Sequence, residues 1–134
     1  MGIDAVNHSL GSQLRAPEVE QRTIAGVSAL QVSGELDLAT AGKLEAEVQR
    51  SLAQGSPPLL IDFTDCGFID SSVLSLLVKF HRRLGNSIPP RLVVVARDQP
   101  LQVLRLTRLD YEMAVFASLG EALSALQVGG AAES

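Results

Sequence analysis

Apolar residues recur along this chain at two different spacings, and the change from one to the other marks out the elements. From Val27 to Leu36, the apolar positions Leu30, Val32 and Leu36 alternate with polar ones, which is the signature of a strand with one buried face. Val19 to Ile24 is a second candidate strand, and Gly26 lies between the two, so a β-hairpin is predicted. From Ala39 to Gln54 the period lengthens. Ala41, Leu44, Val48 and Leu52 stand three or four residues apart, with Lys43, Glu45, Glu47 and Arg50 between them, which predicts an amphipathic helix. Gly55, Pro57 and Pro58 end it.

Leu59-Leu60-Ile61-Asp62-Phe63 then reads as a short strand buried in the middle of a sheet. Ser72 to Leu84 is apolar on several sides, through Val73, Leu74, Leu76, Leu77, Val78 and Phe80, so this helix presses into the core and stops near Gly85. Arg91 to Ala96 is a strand by its β-branched content, and Pro100 opens a helix carrying Leu101, Val103, Leu104 and Leu106. Met113 to Phe116 and Leu119 to Leu126 supply a last short strand and helix. The order predicts an α/β fold: a mixed β-sheet with an N-terminal hairpin, later strands joined by helical crossovers, and about four α-helices. Residues 1–16 and 128–134 follow neither period and read as a flexible leader and tail around one domain, 17–127.

A chain of 134 residues fits that single core and leaves no room for a second. With 46% hydrophobic and 19% charged residues it is far too apolar for a disordered protein. Eleven Lys and Arg against fifteen Asp and Glu give a net charge of −4, which offers no general attraction to a phosphate backbone, and the absence of Trp removes a stacking platform. Direct nucleic-acid binding is therefore not expected. The single cysteine, Cys66, cannot close an internal disulfide or furnish a structural zinc site, which suits a reducing, cytoplasmic setting. The apolar runs are too short to insert in a membrane, and MGIDAVNHSL lacks a basic and then apolar secretory signal.

Searches for catalytic chemistry fail in informative ways. Gly42-Lys43-Leu44 lies inside the amphipathic helix and lacks the spacing and hydroxyl of a phosphate-binding loop, so the chain is not expected to bind ATP. Serine hydrolysis needs a base within reach of the nucleophile, but His81 stands roughly 15 Å along a helix from Ser71. His81 instead joins Arg82 and Arg83 at the helix C-terminus, where cations complement the macrodipole. No enzyme activity, cofactor or metal is expected. The carboxylates of Glu35 and Asp37, and of Asp62, Asp65 and Asp70, suit either a divalent cation, a phosphoryl group or helix capping; Asp37 and Asp70 both stand just before helices. The acidic pair and late lysine of a response-regulator receiver are absent.

The richest segment is Phe68-Ile69-Asp70-Ser71-Ser72-Val73-Leu74. It passes from a buried strand into a buried helix, so Asp70, Ser71 and Ser72 occupy a helix N-terminus, where unpaired N–H donors carry partial positive charge. Such a place suits a phosphate on Ser71, and equally suits simple capping by the polar residues.

Val32-Ser33-Gly34-Glu35-Leu36-Asp37 followed by Thr40, together with Leu60-Ile61-Asp62-Phe63 leading to Phe68-Ile69-Asp70-Ser71-Ser72, resembles the STAS-domain family, in particular the bacterial anti-sigma factor antagonists. The resemblance spans about residues 18–127 and includes the order of elements. It implies a STAS-like sheet and a non-enzymatic role in transcription regulation. By that resemblance Ser71 is the phosphorylated serine, and Asp37, Thr40, Asp70, Ser72 and Val73 lie at the partner surface. The implied partner is an anti-sigma factor that is also a serine kinase and binds the ATP itself. One position departs from the pattern: Val73 stands where these relatives usually carry glycine, adding β-branched bulk at the helix start and predicting interference with docking or phosphorylation. STAS domains that are not phosphorylated serve as subunits of lipid-transporting ABC complexes, and this is the alternative role.

Overall fold

A computed structural model of the chain describes residues 16–55 and 57–127. The segments read as leader and tail fall outside those residues, apart from Ala16. The sheet has five strands in the order β1-β2-β3-β4-β5: β1 (Glu18–Ile24), β2 (Val27–Leu36), β3 (Leu59–Ile69), β4 (Leu92–Val95) and β5 (Ala114–Phe116). β1 and β2 form the expected antiparallel hairpin, turned through Ala25 and Gly26, both at positive φ. Every later pairing is parallel. Parallel neighbours need crossovers, which α1 (Ala41–Gln54), α2 (Ser71–Leu84) and the pair α3 (Asp98–Leu106) and α4 (Leu109–Glu112) supply in turn; α5 (Leu119–Leu126) closes the described chain.

Two apolar clusters sandwich the sheet. The larger joins Leu30, Val32 and Leu36 of β2 and Ile61 and Phe63 of β3 to Leu44 and Val48 of α1 and to Val73, Leu77 and Phe80 of α2. The smaller sets Ala122 of α5 against Ala29, Leu60, Val93 and Val95 on the opposite face. Central strands β3 and β4 are therefore covered on both sides, which explains why they read as continuous apolar runs whereas β2 reads as an alternation.

Three details differ from expectation. β3 does not stop at Phe63 but runs to Ile69, because β2 continues to pair with it through two register shifts, between Gln31 and Ser33 and between Gly34 and Glu35. Those irregularities break the alternation that would otherwise have revealed the strand. α3 begins at Asp98, with Pro100 in its first turn, and the four-residue α4 brings the helices among the described residues to five, close to the expected number. The single turn of α4 is too short to show a period.

Candidate functional site

Because β2 and β3 run parallel with Leu36 opposite Ile69, the residues that follow them leave the sheet side by side. This places Asp37 and Ser71, distant in sequence, at the same end of the domain. Asp70 joins the two connections. It is the extended N-cap of α2, and its Oδ1 accepts the Ser72 N–H at 2.9 Å and the Ser72 hydroxyl. Its Oδ2 accepts the N–H of Leu38 at 3.0 Å. These donors, the Ser72 hydroxyl first and then the backbone N–H groups of Ser72, Leu38 and Val73, outweigh partial desolvation and hold the Asp70 carboxyl below its ordinary value of 3.8.

Asp37 and Thr40 form a closed turn of their own. Asp37 Oδ1 accepts the Thr40 N–H at 3.1 Å and its hydroxyl at 2.9 Å, while the Asp37 N–H donates to Thr40 Oγ1 at 3.0 Å. The Asp37 carbonyl then accepts the first N–H of α1, from Ala41, at 2.8 Å. Asp37 thus shapes the approach to α1, and Thr40 holds the cap position without a side-chain cap bond. Asp62 lies elsewhere: it is buried, at 3% exposure, in mid-β3, with Oδ1 accepting the Thr64 N–H at 2.9 Å. Asp65 and Glu35 lie within β3 and β2. Among the described residues no group of three or more His, Cys, Asp or Glu side chains is placed to hold a metal.

Ser71 and Ser72 have different surroundings. Ser72 is half-buried and its hydroxyl is spent on Asp70, whereas Ser71 is exposed and its side chain makes no hydrogen bond to any described residue. The expected ring of unpaired donors is largely absent. The Ser72 N–H goes to the Asp70 side chain, and those of Val73 and Leu74 go to the Asp70 carbonyl at 3.1 and 3.3 Å. Capping has already used the positive end of the helix.

Val73 is fully buried and points into the core beside Leu77 and Phe80. The expectation that its side chain lines the partner surface is therefore corrected: its bulk faces inward. The spacing 73, 77, 80 carried that information, since residues four and then three apart share one helix face.

Two further features have no counterpart in the sequence reading. Gln99, in the first turn of α3, clamps the backbone of Ile69 from both sides: the Ile69 N–H donates to Gln99 Oε1 and Gln99 Nε2 donates to the Ile69 carbonyl, each at 2.9 Å. No motif announces such a residue. Apolar surface also flanks the site, with Leu38 80% and Phe68 42% exposed. From Ser71 a shallow groove of about 440 Å³ runs down α2, lined by Leu74, Val78 and Leu109 and edged by Lys79 and Arg82.

A mixed sheet with an N-terminal hairpin, consecutive crossovers and an acidic-capped serine helix beside the β2 end defines a recognisable class. The STAS-domain profile matches residues 18–122, and the chain belongs to the STAS-domain family. Among known proteins it is similar to the anti-sigma-F factor antagonist RsfB of Mycobacterium tuberculosis, 31% identical over 120 residues that cover 87% of this chain and 97% of that protein. It is also similar to an anti-sigma factor antagonist from Mycobacterium paratuberculosis, whose crystal structure superposes with a TM-score of 0.76 at 32% identity, covering 84% of this chain and 95% of the other. The anti-sigma factor antagonist SpoIIAA in its unphosphorylated form shares the fold, with a TM-score of 0.60 at 18% identity, over 84% of this chain and 99% of the other. No described helix is long and apolar enough to cross a membrane.

Proposed function

We propose that this chain is an anti-sigma factor antagonist that binds an anti-sigma factor at the surface shared by Asp37, Thr40, Asp70 and Ser72, and that phosphorylation of Ser71 releases it. The kinase is the anti-sigma factor itself, using ATP that it binds, so this chain contributes an acceptor hydroxyl and no catalytic group. The observation that carries the reading is the unequal treatment of the serine pair: Ser72 is tied to Asp70, and Ser71 is exposed with its hydroxyl bonded to none of the described residues. The names of the two relatives at 31% and 32% identity point the same way. Burial of Val73 supports the reading, since its side chain is directed into the core and not toward a docking partner.

The switch follows from electrostatics. A phosphate brings about −1.5 to −2 charges to a surface that already holds the Asp70 and Asp37 carboxylates, and burying that charge in an interface is costly unless matched cations meet it. Capture of the anti-sigma factor from native lysate, incubation with ATP and phosphosite mapping test the proposal. Phosphate on Ser71 alone is the expected result; phosphate on Ser72 or Ser75, or none, overturns it.

A further inference from the structure

Outside the serine site, the feature with most to say is β1. Among the described residues it is the outermost strand on its side of the sheet, all seven of its residues are partly or fully exposed, and its outer edge makes no backbone hydrogen bond to another described residue. Its sequence, EVEQRTI, places Glu20 and Arg22 on either side of Gln21, on one face of the sheet. Val19, Gln21 and Thr23 occupy the other face, where Val19 joins the main core and the Gln21 amide donates to Ser51 of α1 at 3.2 Å.

We propose that β1 pairs antiparallel with β1 of a second copy of this chain, on a two-fold axis through Gln21, giving a ten-stranded sheet continuous across a homodimer. In this register Glu20 faces Arg22 of the partner subunit and Arg22 faces Glu20 of the partner subunit. Val19 meets Thr23, both β-branched, and no like charges are opposed. Neighbouring registers that keep the helical layer on one side fail: centring on Glu20 sets two carboxylates against each other, and centring on Arg22 sets two guanidinium groups together. Directly opposed like charges destabilise a strand pair and opposite charges support it. Charged side chains ordinarily guard an edge against indiscriminate pairing. Here their order blocks most strands but is complementary to itself, which is the requirement of a two-fold interface. The glutamate and arginine already approach within their own strand, at 3.7 Å, with more than half of each side chain exposed and available to a partner. Antiparallel pairing turns the two Ser71 sites to opposite ends of the dimer, so both remain open, and the inference does not depend on their role.

Sedimentation equilibrium of the full chain at low ionic strength tests the proposal, with circular dichroism to confirm that each variant is folded. Wild type is expected to show a monomer–dimer equilibrium. Arg22→Glu and Glu20→Arg should each weaken dimerisation by about tenfold or more, since every reversal alters two cross-strand contacts. The double variant E20R/R22E should return the dimer constant to near the wild-type value. Wild type that stays monomeric at high micromolar concentration, a dimer insensitive to the single reversals, or a double variant no tighter than the singles would each overturn the proposal.

Discussion

The backbone N–H of Leu38 donates to the Asp70 carboxylate across 32 positions of sequence, at 3.0 Å. One oxygen of Asp70 caps α2 while the other holds the turn that leads into α1. The connections from β2 to α1 and from β3 to α2 are therefore tied to each other by a single side chain.

Asp70 gives the domain an acid-sensitive contribution to stability. Its folded pKa lies below the ordinary 3.8, so the stabilisation is fully present above the unfolded value and is lost as pH falls through the folded one. In Asp70→Asn that titration is absent. Melting temperatures measured from neutral pH downward should show wild type ahead above pH 4, with the gap closing below it; a constant gap would show that the carboxylate charge is immaterial.

Ser71→Ala should leave the fold intact and retain partner binding, because the hydroxyl it removes makes no hydrogen bond to the described residues. Ser71→Asp should weaken binding, though less than phosphate does, since a carboxylate carries less charge and fewer oxygens. Titration calorimetry with the captured anti-sigma factor checks both; equal affinities for all three proteins would remove phosphorylation as the switch. Ser72→Ala, by contrast, should cost about 1 kcal/mol of stability through loss of its bond to Asp70 and still accept phosphate on Ser71.

Glycine in place of Val73 should harm this protein. Val73→Gly empties a fully buried site and places glycine in a helix, for a combined loss of roughly 2–4 kcal/mol. Denaturant unfolding would show it as a lower midpoint. An unchanged midpoint would mean that the core closes over the space.

Gln99→Ala should strip the Ile69 peptide groups of both side-chain partners, at a cost of about 1–3 kcal/mol where the site stays dry. Hydrogen exchange offers a local readout. The Ile69 amide should exchange faster in the variant, while amides of β4 keep their protection until global unfolding.

Much of this architecture was legible because burial is periodic. Leu44 and Val48 lie inside as the spacing of α1 requires, and Leu30, Val32 and Leu36 do so as the alternation of β2 requires. The spacing 73, 77, 80 also puts Val73 on the buried face, although the family resemblance had set it at the partner surface. Periodicity could not reach the end of β3, where tertiary pairing sets Asp65 opposite Ser33 and carries the strand past an unpaired Gly67 at the second register shift, neither residue favouring a strand. The ties from Leu38 to Asp70 and from Gln99 to Ile69 also left no trace, since polar bonds between distant segments have no period.

The cap on α2 decides how any phosphate on Ser71 would be received. A helix start often welcomes an anion, but here a carboxylate is already in residence and the N–H groups of Ser72, Val73 and Leu74 are engaged. A phosphoryl group would find no cradle in its own domain and would be turned outward by Asp70, toward whatever docks there. Among the described residues, Lys79 and Arg82 share the groove with Ser71 but stand two turns or more along α2, so the response to the phosphoryl charge would fall chiefly to the partner.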